Sequence, residues 1–268
     1  MLWNAKNGTV SIGSTEMNYV SFGLGSKVLI LLPGLSDGLT TVKGKAMLLA
    51  VPYKLFFKEY KVFMFSRKNE LPDSYSIREM ADDQAEAMRK LGIEKASILG
   101  VSEGGMIAQY MAIDHADMVE KLVIAVSASS VNDTVSAAVE TWIEFANLGN
   151  HKQLMIDTAE KSYSSEYLKK YRKVYPVMGH IGKPESYHRF LVNANAILNF
   201  DCSGELDKIS CPTLIIGGAK DQIVGPDASY EMHERIKGSE LFMYDEFGHA
   251  AYEEAEDFNR RVFDFLAG

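Results

Sequence analysis

Cysteine is scarce in this chain. Its 268 residues include two, Cys202 and Cys211, too few for a disulfide scaffold, and they read as reduced thiols. Positive charge is also short: 28 Lys and Arg stand against 36 Asp and Glu, a formal net charge of −8. No basic stripe relieves that deficit, so phosphate would approach against repulsion and no nucleic-acid partner is expected. Long apolar runs are missing too. The longest, VLILL (28–32) and AMLLAVPYKLFF (46–57), are too short to cross a bilayer, and Pro52 and Lys54 interrupt the second. The opening MLWNAKNGTVSIG lacks a basic stretch followed by an apolar one, so no signal peptide is read and a cytoplasmic location is expected. The sequons at Asn7 and Asn132 then carry no meaning. There is no Walker loop, no HExxH and no paired CxxC, and Gly23-Leu-Gly25 lacks the third glycine of a dinucleotide fingerprint. Neither a metal nor a cofactor is expected.

What remains is the composition of an ordinary globular protein, 47% hydrophobic and 24% charged. The length allows one large α/β domain, or one domain with an insertion. TVSI (9–12) and TEMNYVSFG (15–23) read as a hairpin. KVLILLPG (27–34) and YKVFMFS (60–66) are continuous apolar runs suited to buried strands. Residues 44–59 read as helical on one or both sides of Pro52. Ser76 to Leu91 reads as a helix with a Ser76–Glu79 capping box, and Gly92 ends it. A strand at 96–102, a helix at 103–115 and a strand at 121–128 follow. Residues 129–208 carry no strong strand signal and read as several helices. The alternation then resumes: strand 211–218, helix 227–237, strand 239–246 and helix 251–266. Strands alternating with helices predict an α/β fold with a doubly wound, mostly parallel sheet. The core domain is read as 1–128 and 209–268, with 129–208 as a helical cap inserted over one edge.

GVSEGG (100–105) joins a buried strand to an apolar helix. A serine hydroxyl is a poor nucleophile until a base takes its proton and donors steady the oxyanion. A sharp strand-turn-helix elbow would expose Ser102, small residues at 100 and 104 would relieve the crowding, and the new helix would aim its free N–H groups at the site. The pentapeptide alone recurs by chance; its setting between strand and helix is the informative part. Among six histidines, His249 stands apart. EFGHAAYEE puts it in a glycine-containing loop after the last strand, at the carboxyl end where doubly wound sheets gather active residues. LIIGGAKDQIVGP puts Asp221 just past another buried strand. Alone it is equally a turn aspartate; with Ser102 and His249 it becomes the carboxylate that orients an imidazole.

These pieces, together with LLPGLSDG and KLVIAVSA, resemble the α/β-hydrolase-fold superfamily nearly end to end. The pattern is most similar to small cytosolic esterase and enol-lactonase-like members with a helical cap. The resemblance implies Ser102 as nucleophile, Asp221 as acid and His249 as base, with backbone N–H groups of Leu35 and Glu103 as an oxyanion hole. It implies a serine hydrolase acting on a small carboxylic ester or lactone. A carbon–carbon bond hydrolase or acyltransferase of the same fold, and a slow or non-catalytic small-ligand receptor, are the alternatives. A homodimer is among the assemblies left open. Three departures stand out. Pro33-Gly34 replaces a frequent His-Gly. SRKNELPD (66–73) replaces a frequent Asp-x-Arg-Gly, so that loop must be held differently. Glu103 sits beside the nucleophile, where its carboxylate would oppose an oxyanion unless it turns away toward the helix N-terminus or a cation. In the cap, Tyr163, Tyr167, Tyr171 and Tyr175 recur every four residues, which predicts one slowly drifting helix face. A packing stripe is the simpler reading; an aromatic substrate wall including Trp142, Phe145, Tyr163, Tyr167 and Met178 is the functional one. Cys202 reads as structural.

Overall fold

The computed structural model describes residues 2–268. Its strands are β1 (Lys6–Ile12), β2 (Thr15–Phe22), β3 (Lys27–Leu32), β4 (Tyr60–Lys68), β5 (Ala96–Val101), β6 (Val119–Ala125), β7 (Thr213–Gly218) and β8 (Glu240–Tyr244). They form one eight-stranded sheet in the order β1-β2-β4-β3-β5-β6-β7-β8. β1–β2 and β2–β4 pair antiparallel, and every pairing from β4 to β8 is parallel. The doubly wound reading holds.

The helices are α1 (Ala46–Ala50), α2 (Ile77–Lys90), α3 (Glu103–Asp114), α4 (Asp133–Asn147), α5 (His151–Ser162), α6 (Ser165–Tyr171), α7 (His188–Leu198), α8 (Asp227–Arg235), α9 (Ala251–Glu254) and α10 (Phe258–Ala267). The central strands are buried on both faces, because the pleat sends alternate residues to opposite sides. Ile30, Leu32 and Ile98 join one core with Met80, Ala85 and Met88 of α2 and Ile107 and Met111 of α3. Leu29, Leu31 and Leu99 join the other with Ala46 and Ala50 of α1 and Phe258, Val262 and Leu266 of α10. The capping box of α2 is present: Ser76 Oγ accepts from Glu79 N, and Ser76 N donates to Glu79 Oε2 at 2.7 Å.

Helices α4 to α7 all lie between β6 and β7. Phe190 and Ile197 of α7 and Trp142 of α4 extend the α2/α3 core, so this helical segment packs onto the sheet domain. Asn132 N-caps α4 and also donates to the Val224 carbonyl at 2.9 Å, tying that helix to the loop after β7. Among the described residues no helix is long and apolar enough to cross a membrane.

Three local readings change. The tyrosine repeat is not one helix face: Tyr163 ends α5, Ser164 N-caps α6, and Tyr175 falls in a 3₁₀ turn (Arg172–Val177) that contains Pro176. The rings of Tyr163, Tyr167 and Tyr171 still stack, with centroids 4.3 and 4.0 Å apart. The C-terminal helix breaks into α9 and α10, because Ala255 is extended and Asp257 turns to accept from Tyr244 Oη at 2.8 Å. β1 begins at Lys6, ahead of its apolar pattern, because antiparallel pairing with β2 carries on past Thr9 and Gly8 lies under the Tyr19 ring.

Candidate active site

The strand order turns at β3. The chain leaves β3 for β4 on one side, then returns to place β5 on the other. Such a reversal opens a crevice at the carboxyl ends of the strands. Gly34 to Gly38 leaves β3 there, and Ser102 follows β5 there.

Ser102 is the turn residue between β5 and α3, with φ 55° and ψ −122°. A non-glycine residue at that φ is strained, and the surrounding backbone must hold it. Ser102 N donates to the Ala125 carbonyl at 2.9 Å, and its own carbonyl accepts from Gly105 N, Met106 N and Ser127 Oγ. The flanking glycines allow the close approach. A Cβ on Gly100 would lie 2.3 Å from the Gly104 carbonyl oxygen, and one on Gly104 would lie 1.9 Å from the Leu32 oxygen. Nothing larger fits either position without moving β3 or α3.

Two loops at the end of the sheet bring up the partners. Ala219 N donates to the Tyr244 carbonyl and Lys220 N to the Phe247 carbonyl, which stitches the loop after β7 to the loop after β8. Asp221 is 5% exposed and His249 7%. Asp221 Oδ1 accepts from Ile223 N at 2.8 Å and Val224 N at 3.0 Å. Its Oδ2 lies 2.8 Å from His249 Nδ1, and His249 Nε2 lies 2.9 Å from Ser102 Oγ. Burial alone would push the Asp221 carboxyl up. His249 and the two amides outweigh it and hold the group below the usual carboxylate range. An ionised Asp221 takes the Nδ1 proton as its hydrogen bond, which leaves Nε2 free to accept from the serine hydroxyl.

The β3 loop passes close by. A Cβ on Gly34 would lie 3.2 Å from Ser102 Cβ, and Leu35–Gly38 then forms a 3₁₀ turn. Glu103 opens α3, so its N–H has no acceptor within the helix. The Glu103 side chain takes the cation option. Its Oε2 lies 2.7 Å from Arg67 Nη2, and both side chains are fully buried. The contact is close but poorly angled for a hydrogen bond, and the guanidinium nitrogens and both carboxylate oxygens find no other protein partner. Burial pushes the Glu103 carboxyl upward, against the pull of Arg67. A second pair lies beside the first: Arg189 Nη2 to Asp37 Oδ2 at 2.8 Å, with Asp37 Oδ2 also accepting from Arg67 N at 3.0 Å. Of these groups the sequence singled out Glu103 alone. Arg67 lay unmarked inside the atypical SRKNELPD loop, and nothing local distinguishes Asp37 or Arg189.

The cap residues are placed unevenly. Tyr163 lines a cleft of about 430 Å³ with Ser164, Lys220, Gln222, Phe247 and Gly248, against the loops that carry Asp221 and His249; its hydroxyl donates to Glu253. Tyr167 stacks on it. Trp142 is buried and gives its indole N–H to Asp157 at 2.8 Å. Phe145 is partly buried against the main core. Met178 follows the 3₁₀ turn after α6. Among the described residues, no three His, Cys, Asp or Glu side chains gather as a metal-binding group.

Comparison with known proteins agrees with the architecture. Residues 27–256 match the alpha/beta hydrolase fold family, and the chain belongs to it. It is an enzyme of the hydrolase class. The serine hydrolase BPHL of Mus musculus is 28% identical over 268 residues, covering 96% of this chain and 85% of that one. The pimeloyl-[acyl-carrier protein] methyl ester esterase of Neisseria meningitidis is 28% identical over 189 residues, 65% of this chain and 69% of its own. The crystal structure of the enol-lactonase from Burkholderia xenovorans superposes with a TM-score of 0.81 at 20% identity, covering 97% of this chain and all of that one.

Proposed function

We propose that the chain is a serine hydrolase that cleaves a small carboxylic ester or lactone through an acyl-enzyme on Ser102, with residues 129–208 as a cap over the site. The observation that carries this reading is the unbroken line from Asp221 Oδ2 through His249 to Ser102 Oγ, at 2.8 and 2.9 Å. His249 Nε2 takes the hydroxyl proton as Oγ attacks the substrate carbonyl. Asp221 keeps the proton on Nδ1 and stabilises the imidazolium that forms. The N–H groups of Leu35 and Glu103 receive the oxyanion. When the tetrahedral intermediate collapses, His249 returns the proton to the leaving oxygen, and a water activated by the same imidazole then releases the acid.

The Glu103 carboxylate does not oppose this chemistry, because it faces Arg67 and not the oxyanion. The similarity to a methyl ester esterase supports an oxygen leaving group. The cleft that Tyr163 lines includes none of Ser102, Asp221 and His249, so it lends the aromatic wall no support, and the packing role is the simpler one for these residues.

The test compares a p-nitrophenyl ester series on the wild type and Ser102→Ala, with intact-mass detection of fluorophosphonate labelling. One adduct on the wild type is expected. In the variant the adduct should vanish and turnover should fall roughly 10³-fold or more. Turnover that survives in Ser102→Ala would refute the assignment.

A further inference from the structure

Arg189 is the second residue of α7, in the proposed cap, yet every acceptor it reaches lies in the turn after β3 or at the end of β4. It donates to the Asp37 carboxylate at 2.8 Å, the Asp37 carbonyl at 3.2 Å, the Arg67 carbonyl at 2.8 Å and the Lys68 carbonyl. The next residue, Phe190, presses on the same turn. A Cβ on Gly38 would lie 2.8 Å from Phe190 Cα. The first turn of α7 thus grips the Leu35–Gly38 turn at two consecutive positions. Leu35, whose N–H is assigned to the oxyanion, is two residues from the clasped Asp37.

This pair is not a surface salt bridge of small worth. The Asp37 side chain is 1% exposed and that of Arg189 15%. Asp37 Oδ2 bridges two segments, since it also accepts from Arg67 N, and Arg67 in turn neutralises Glu103, the carrier of the second oxyanion N–H. Two arginines and two carboxylates therefore join the cap, the β3 loop, the end of β4 and the elbow in one buried, formally neutral cluster.

We propose that Arg189 is a positioning residue: by clasping Asp37 it makes the seating of α7 set where the Leu35 N–H points, so that the cap completes the oxyanion hole. This rests on the serine-hydrolase reading above. An N–H to the developing oxyanion gains most of its strength in the transition state. A misaimed one therefore lowers kcat and kcat/KM together and leaves KM nearly unchanged. A purely structural clasp would instead lower the fraction of folded enzyme and leave turnover per competent site intact.

The experiment measures p-nitrophenyl acetate kinetics per serine titrated with a fluorophosphonate, in the wild type, Arg189→Met, Asp37→Asn and the double variant. Trifluoromethyl ketone inhibition is measured alongside, because the hemiketal needs the same donors. We expect Arg189→Met to lose roughly 10- to 100-fold in kcat, short of the roughly 100- to 1,000-fold for deleting a donor outright. KM should stay within about two-fold, and the ketone should weaken in step with kcat/KM. In the Asp37→Asn background, Arg189→Met should add little, because both act through one contact. Turnover per titrated serine within two-fold of wild type in Arg189→Met overturns the proposal. So do additive losses in the double variant, or a rise in KM at constant kcat. If Arg189→Met does not fold, Asp37→Asn carries the test by the same kcat and ketone criteria. A wild type that neither takes the label nor cleaves the ester refutes the hydrolase reading itself, which an unaffected Arg189→Met would not.

Discussion

Replacing Arg67 with methionine keeps much of the side-chain volume and removes the charge. In the structure that leaves Glu103 fully buried with no cation at 2.7 Å. Breaking one half of a buried ion pair costs about 3–5 kcal/mol, because an uncompensated charge or a forced protonation remains. At about 2 °C per kcal/mol for a chain of this size, that lowers Tm by roughly 6–10 °C. The loss also depends on pH. Burial already raises the Glu103 carboxyl, and removing Arg67, the chief opposing influence, raises it further. A carboxyl raised in the folded state contributes stability below its unfolded value, about 4.3. That contribution is lost as pH rises through the higher folded value. The deficit of Arg67→Met relative to wild type should therefore be smaller at pH 5 than at pH 8. Urea unfolding followed by circular dichroism at both pH values measures it. Arg67→Met/Glu103→Met removes both charges and keeps the residue-103 amide, so most of the loss should return. A single variant within about 1 kcal/mol of wild type would refute the argument, and so would a double variant as unstable as the single.

Asp221→Asn should lower kcat roughly 10³- to 10⁴-fold with little effect on folding. The amides of Ile223 and Val224 will hold the remaining carboxamide oxygen in the place of Oδ1. The new NH₂ then faces His249 Nδ1 and forces the tautomer that cannot accept from Ser102; steady-state kinetics with a Tm check tests this. Native protein treated with iodoacetamide at pH 8 should stay unalkylated at Cys202. Burial pushes that thiol far above its ordinary value and its sulfur bonds to Gln109. Labelling of Cys202 by mass spectrometry without prior unfolding would contradict the packing.

The sheet and the nucleophile, base and acid candidates were legible because each sits beside a local signal. Ser102 and Asp221 follow buried apolar strands and His249 follows the last strand, and a parallel sheet sends the residues after its strands to one edge. The glycines at 100 and 104 mark close backbone contacts that the sequence can only suggest and the structure measures. The charged cluster was not legible, for a physical reason. Hydrophobic periodicity reports which side of one element faces the core, and it assumes that charged residues face water. Arg67 ends a strand, Asp37 lies in a short turn and Arg189 begins a helix, all places where an exposed charge is ordinary. Their burial follows from partners 36 residues away in sequence for Arg67–Glu103, by their numbering, and 152 away for Arg189–Asp37. Glu103 was the single hint. Beside the nucleophile its carboxylate had to turn away, and the helix N-terminus and a cation were the two partners open to it. The sequence could name those options; only the fold, which sets the end of β4 two strands from β5 in the order β4-β3-β5, identifies the cation as Arg67.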